Sequence, residues 1–153
     1  MNDDLHKRIA HLEDLEAIRR LKHTYCALCD GPYDAPKLAL LFTEDAVWDA
    51  GEAFGRFVGR AAIEGFFRGM THTAPFCVHT AINDLIDVRG DVATARFRAN
   101  IPVTPEIEGK IVQRWLFVEY EDAFRRVDGQ WYFTLCRSHI YKVVESPTQG
   151  GPA

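Results

Sequence analysis

No stretch of the sequence approaches the roughly 18 to 20 uncharged apolar residues of a membrane span. The opening MNDDLHKRIAHLEDLE also lacks the apolar core of a secretory signal, so the cytoplasm is the expected compartment and no membrane is expected as partner. An excess of one charge is missing too. With 18 basic and 22 acidic residues the formal net charge is -4, which makes no field for gathering phosphates and argues against nucleic acid as partner. Cysteine is scarce: Cys26, Cys29, Cys77 and Cys136 are too few to staple a chain able to form its own core, and they read as reduced thiols. The Cys26-x-x-Cys29 pair lies near a helix C-terminus with no second pair, whereas redox dithiols use the N-terminal end, where the thiol is acidified. There is no glycine-rich phosphate loop, HExxH or GxSxG, which removes the P-loop, dinucleotide, zincin and hydrolase-elbow classes. His72, His79, Asp84 and His139 have no diagnostic metal-ligand spacing, so no metal site is expected.

What is present is the length and composition of one globular domain. The 153 residues, 47% hydrophobic and 26% charged, suffice to bury about 70% of the unfolded surface and still leave a cavity. From Leu5 to Leu28, apolar residues recur at spacings of three and four, predicting a long amphipathic helix that stops at Asp30-Gly31-Pro32. Asp34-Ala35-Pro36 reads as the cap and first turn of a second, short helix. Ala46–Ala50 is a predicted strand, Gly51–Gly59 a predicted hairpin, and Arg60–Arg68 a third helix. The period then changes to two. Cys77–Val88 and Val92–Val103 flank Arg89-Gly90-Asp91, and Ile111–Arg125 and Trp131–Val144 flank Asp128-Gly129, the strongest hairpin signal in the chain. Helices first and long strands last predict an α+β fold. The expectation is a cone-shaped α+β barrel, with N-terminal helices packed on a strongly curved, mixed but mostly antiparallel sheet. One domain over residues 1–145 and a loose tail over 146–153 are expected.

Two residues stand out for chemistry. Asp30 sits at a helix C-terminus, where the macrodipole disfavours a carboxylate, so it is either the start of the turn or a working acid. His79 lies in the apolar segment Phe76–Ile82, as a satisfied core histidine or as a base whose tautomer a carboxylate holds. Five residues is about 500° of helix, so Tyr25 reaches the side of Asp30 only if the helix unwinds before it. Strand parity puts Asn83 with His79, Asn100 with Arg96 and Arg98, and Arg137 and His139 with Trp131 and Phe133. Trp48, Phe67 and Trp115 are the expected apolar walls of a pocket, and Asn83, Asn100, Arg137 and His139 its polar groups.

The segments LEAIRRLKHTYCALCDG, LALLFTEDAVWD, GRAAIEGFFRG, VHTAIN and YEDAFRRVDGQWYFTLCR together resemble the SnoaL-like branch of the nuclear-transport-factor-2-like superfamily. Within it the chain is similar to scytalone dehydratase, the bile acid 7α-dehydratases and hexachlorocyclohexane dehydrochlorinase. The resemblance implies a lyase that uses no cofactor and removes water or HCl from a small hydrophobic, cyclic molecule. It implies His79 as base, Asp30 as its supporting acid and Tyr25 as the group that polarises the substrate. The further acid of the steroid dehydratases has no counterpart near Asn100-Ile101. An isomerase or polyketide-cyclase-like enzyme using the same dyad, or a non-catalytic binding domain, are the alternatives, and an open sheet face suggests a homodimer or homotrimer.

Overall fold

The computed structural model describes residues 2–31, 33–70 and 76–145. Helix α1 runs from Asn2 to Cys29 and buries the stripe Ile18, Lys22, Tyr25, Cys26 and Cys29, whose spacing keeps one face inward. It tightens at its end, where the Asp30 N–H reaches back only three residues to the Ala27 carbonyl. Helix α2, Ala35–Ala39, starts as expected: the Asp34 carboxylate accepts the Lys37 N–H, and Pro36 occupies the first turn. Strand β1, Phe42–Asp49, begins earlier than predicted because Phe42 already pairs with Phe133. The segment predicted as a hairpin is one helical turn, α3 (Gly51–Phe54), followed by β2 (Arg56–Val58), which folds back on β1. Helix α4, Arg60–Met70, buries Ile63 and Phe67 and is anchored by the Arg60 guanidinium on the Phe42 carbonyl.

The long strands are β3 (Thr80–Arg89), β4 (Val92–Val103), β7 (Arg114–Val127) and β8 (Gln130–Glu145), with a two-residue hairpin, β5 (Glu106–Ile107) and β6 (Lys110–Ile111), between β4 and β7. The β7–β8 turn holds Asp128 and Gly129 at φ 50° and 79°, the left-handed pair that an Asp-Gly hairpin turn uses. Strand order is β2-β1-β8-β7-β4-β3; among the described strands only β1 and β8 run parallel. The sheet is therefore mixed and mostly antiparallel, as expected.

The expected cone-shaped barrel with a strongly curved sheet does not form. The sheet is open, with β2 and β3 as edges that do not pair. Six strands fall short of the roughly eight whose closure leaves an interior wide enough for side chains. β2 is only three residues long, and the β3 edge is held by α1 through an Arg19–Asp84 contact of 2.7 Å. The helices lie on one face. Against them the sheet turns Ala93, Ala95, Phe97, Ala99 and Ile101 of β4, and Val118, Tyr120 and Phe124 of β7.

Two irregularities reset which residues face inward. Asn83 has φ 54° at a bulge between Ile82 and Leu85. In β8 the register slips between Phe133 and Leu135, so Cys136, Ser138 and Ile140, opposite Asp122, Tyr120 and Val118, continue the inner face. The predicted tail, 146–153, lies outside the described residues, as do Pro32, His72 and Pro75. No described helix is long and apolar enough to cross a membrane.

Candidate active site

Between the helices and the inner face lies a cavity of about 80 Å³. Tyr25 and Cys29 reach it from α1, Phe66 and Phe67 from α4, Tyr120 from β7, and Ser138 and Ile140 from β8; Trp48, Cys77 and His79 complete its middle. Phe54 is both exposed and lining, so it marks the edge where the cavity meets solvent.

Asp30 and His79 meet here through the end of α1 and the segment before β3. Asp30 Oδ1 accepts two hydrogen bonds from His79, from the backbone N–H and from Nδ1, each at 2.7 Å. The double attachment fixes both the chain at His79 and the plane of its ring. A carboxylate at Nδ1 places the proton of the neutral imidazole there and leaves the lone pair on Nε2. Among the described residues Nε2 has no hydrogen-bond partner, and the ring lines the cavity. Asp30 itself stands behind the ring and is not a lining residue.

Tyr25 is buried with its hydroxyl oxygen accepting the Trp48 indole N–H at 2.9 Å. Because that bond uses the oxygen as acceptor, the phenolic proton is available to another acceptor. Burial pushes the Tyr25 phenol well above its ordinary pKa, so it remains a donor. Tyr120 is raised for the same reason.

Cys77 lies two residues before His79 in the segment leading into β3, bridged to Val103. Its Sγ donates to the Cys29 carbonyl at 3.0 Å and lies 3.5 Å from the Tyr33 hydroxyl. Ligating atoms of Asp30, Cys77 and His79 lie within 4.8 Å of one another, close enough to gather round a metal ion. A metal would require the thiolate, however, and burial pushes the Cys77 thiol up. The arrangement as it stands is one of hydrogen bonds within an acid–base dyad.

A second acid–base pair lies beneath the floor. Lys22 Nζ and Asp122 Oδ2 are 2.9 Å apart, both side chains wholly buried, in an ion pair whose angles fall outside those of an aligned hydrogen bond. The ammonium sits 3.2 Å from the centre of the Tyr120 ring and 4.9 Å from that of Tyr25. Burial raises the Asp122 pKa; for Lys22 burial is the largest single influence and acts downward, but the Asp122 charge and contact together with the neighbouring Cys136 and Cys26 leave the Lys22 pKa raised.

Of the residues expected to bind substrate, Trp48 and Phe67 line the cavity, and Asn83, Asn100, Trp115, Arg137 and His139 do not. The Asn83 bulge and the start of β3 at Thr80 break the parity that tied Asn83 to His79. Asn100 shares the outer parity of Arg96 and Arg98, and Trp115 is exposed. The slip in β8 sends Arg137 and His139 outward, Arg137 toward Asp49 and Glu121. Sequence reasoning missed Tyr33, Cys77, Tyr120 and Ser138 as lining residues. The two-residue spacing of Cys77 and His79 was a readable signal for one of them.

The chain belongs to the SnoaL-like domain family, whose profile matches residues 10–137. A structure from Novosphingobium aromaticivorans assigned as a scytalone dehydratase is 25% identical, covering 94% of this chain and 97% of that one, with a TM-score of 0.78. An NTF2-like protein with a cystatin-like fold from the same organism is 28% identical over 90% of this chain and 88% of its own, with a TM-score of 0.72. A hexachlorocyclohexane dehydrochlorinase from Novosphingobium barchaimii LL02 has a TM-score of 0.82 over 95% of this chain and 99% of that one. At 17% identity that likeness is one of fold alone. No curated protein matches the sequence. The fold, the family and an Asp/His cluster at a cavity are consistent with catalytic activity of the lyase or isomerase type.

Proposed function

We propose that the protein is a cofactor-independent lyase of the dehydratase kind, acting on a small hydrophobic, cyclic molecule. The carrying observation is the 2.7 Å bond from His79 Nδ1 to Asp30 with the ring exposed to the cavity. In this reading His79 Nε2 removes a proton from carbon, Asp30 stabilises the imidazolium that forms, and Tyr25, fixed by Trp48, donates to a carbonyl or to the departing oxygen. The imidazolium then returns its proton to the leaving group or to another carbon of the substrate. The first outcome is elimination, and the second is isomerisation by the same dyad.

The cavity as it stands is smaller than the roughly 150 Å³ void known to accept a benzene ring. A cyclic substrate therefore displaces lining side chains, and Phe54 is the exposed one with room to move outward. The non-catalytic alternative predicts a cavity filled by tryptophan. Trp48 forms one wall, but Trp131 is tied to Asp14 at 2.9 Å and Trp115 is exposed, which favours the enzyme.

The test is proton abstraction itself, measured in D₂O by NMR and mass spectrometry over a panel of cyclic ketones and β-hydroxy ketones. The wild type incorporates deuterium next to the carbonyl of at least one member, or expels water from it, and His79→Gln lowers that rate by about 10² to 10⁴. An undiminished rate in His79→Gln would overturn the reading. Loss of 18 mass units separates elimination from isomerisation in roughly one measurement per substrate.

A further inference from the structure

The first turns of α1 leave the body of the protein. Residues 3–13 are exposed throughout, whereas the same helix buries Ile18, Lys22, Tyr25, Cys26 and Cys29 further along. Three of the exposed residues are large and apolar: Leu5, Ile9 and Leu12 are 51%, 45% and 63% accessible. At about 100° per residue they fall within about 60° of one another, a single stripe down one side of the arm. A free helix of so few turns is marginal in water, and nothing among the described residues covers this stripe. A shallow groove bordered by Ile9, Leu12, Glu13 and Ala17 follows the same side.

We infer that this arm packs in parallel against the same arm of a second copy. The spacing of four and then three is that of a coiled-coil seam, with Leu5 and Leu12 at d and Ile9 at a. In that register Arg8 is a g position and Glu13 the following e position. They flank the stripe on opposite sides, and among the described residues neither has an ion-pair partner. In a parallel pair each Arg8 meets the partner copy's equivalent of Glu13, while all three apolar layers meet their own equivalents. An antiparallel pair would bring the two Arg8 side chains toward each other and break the layers. The seam stops at Glu16, the next a position, whose carboxylate faces Arg19 of its own helix at 3.9 Å. The charges thus select both a second copy as occupant and the direction in which it lies. The sheet also exposes apolar side chains, among them Leu85, Trp115 and Tyr141, and the Ile9 variant below separates association through that face from association through the arm.

The oligomeric state of the full chain tests this, by sedimentation and light scattering across a concentration series, with far-UV circular dichroism to show that each variant is folded. A monomer–dimer equilibrium is expected, and Ile9→Glu should weaken it about tenfold or more. Arg8→Glu and Glu13→Arg should each weaken it a few-fold, and an equimolar mixture of those two variants should restore it, because the mixed pair is attractive on both sides. A chain monomeric at every concentration overturns the inference, as does an oligomer indifferent to Ile9→Glu, which would place association on the sheet face. A mixture that fails to recover overturns the parallel register.

Discussion

Asp30 with His79 and Asp122 with Lys22 are both carboxylates holding a basic partner at 2.7 to 2.9 Å, yet their surroundings give them different work. At the cavity the carboxylate binds the base twice, through ring and backbone, and leaves one ring nitrogen over open space. In the core both charges are sealed, the ammonium is ringed by Tyr25, Phe97, Tyr120 and Phe133, and neither side chain reaches solvent. Proximity of acid and base therefore does not mark a site of reaction. What sets the candidate site apart is a ring-nitrogen lone pair facing a cavity.

The contrast breaks most visibly in stability. Removing one member of the sealed pair leaves a lone buried charge, so Lys22→Met should cost about 3 to 5 kcal/mol in urea denaturation. Lys22→Met combined with Asp122→Leu should recover most of that loss, since an apolar pair of similar bulk needs no desolvation of charge. If the double variant is as unstable as the single one, the two residues are not a coupled pair. At the cavity the ranking reverses. Asp30→Asn should leave stability within about 1 kcal/mol, because the amide oxygen still accepts from the His79 backbone, while deuterium incorporation falls about a hundredfold. A stability loss equal to that of Lys22→Met would make the Asp30 pair structural.

How much of this was readable beforehand follows from which forces are local. The hairpin at Asp128-Gly129, the cap at Asp34 and strand β4 depend on short-range turn chemistry and period, and they stand where the sequence put them. The edges of the sheet depend on whether β2 meets β3, a long-range question on which the sequence is silent; the expected barrel failed there. Side-chain direction failed for a smaller reason. One inserted residue in β8 and a positive φ at Asn83 each reverse parity, and neither Thr134 nor Asn83 advertises a bulge. The meeting of Asp30 and His79, by contrast, needed only the helix to stop where Asp30-Gly31-Pro32 predicts, and α1 does end at Cys29. Lys22 and Asp122 had a signal that went unused: each interrupts an otherwise apolar face, Lys22 between Ile18 and Tyr25, and Asp122 between Tyr120 and Phe124.

The Trp48–Tyr25 hydrogen bond joins the two regions, since Tyr25 lines the cavity and lies over Lys22. Truncating its two ends should not be equivalent. Tyr25→Phe strands the Trp48 N–H without a partner and should cost about 1 to 3 kcal/mol in urea denaturation. Trp48→Phe leaves a hydroxyl that can turn toward the cavity, so the hydrogen-bond part of its cost should be about 1 kcal/mol, on top of lost packing. A double-mutant cycle isolates the shared part. Coupling near zero would mean that Trp48 does not orient the phenol and would remove the structural reason for assigning Tyr25 as donor.

Alkali tests the sealed region by a slope rather than by a single loss. Burial pushes the Cys26 thiol from the ordinary value of 9.0 up to about 11, and Cys29 and Cys136 are raised as well. Above pH 9 the unfolded chain releases these protons while the folded chain keeps them. The unfolded state then binds fewer protons, and stability falls as pH rises through that window, by at most about 1.4 kcal/mol per pH unit for each thiol. Below pH 9 this contribution is fully present and flat. Urea midpoints taken between pH 8 and 11 should show the decline, and Cys26→Ala should make it shallower by one proton's worth. If the slope is unchanged in Cys26→Ala, that thiol ionises equally in both states, and the core around Lys22 is less sealed than the cavity beside it.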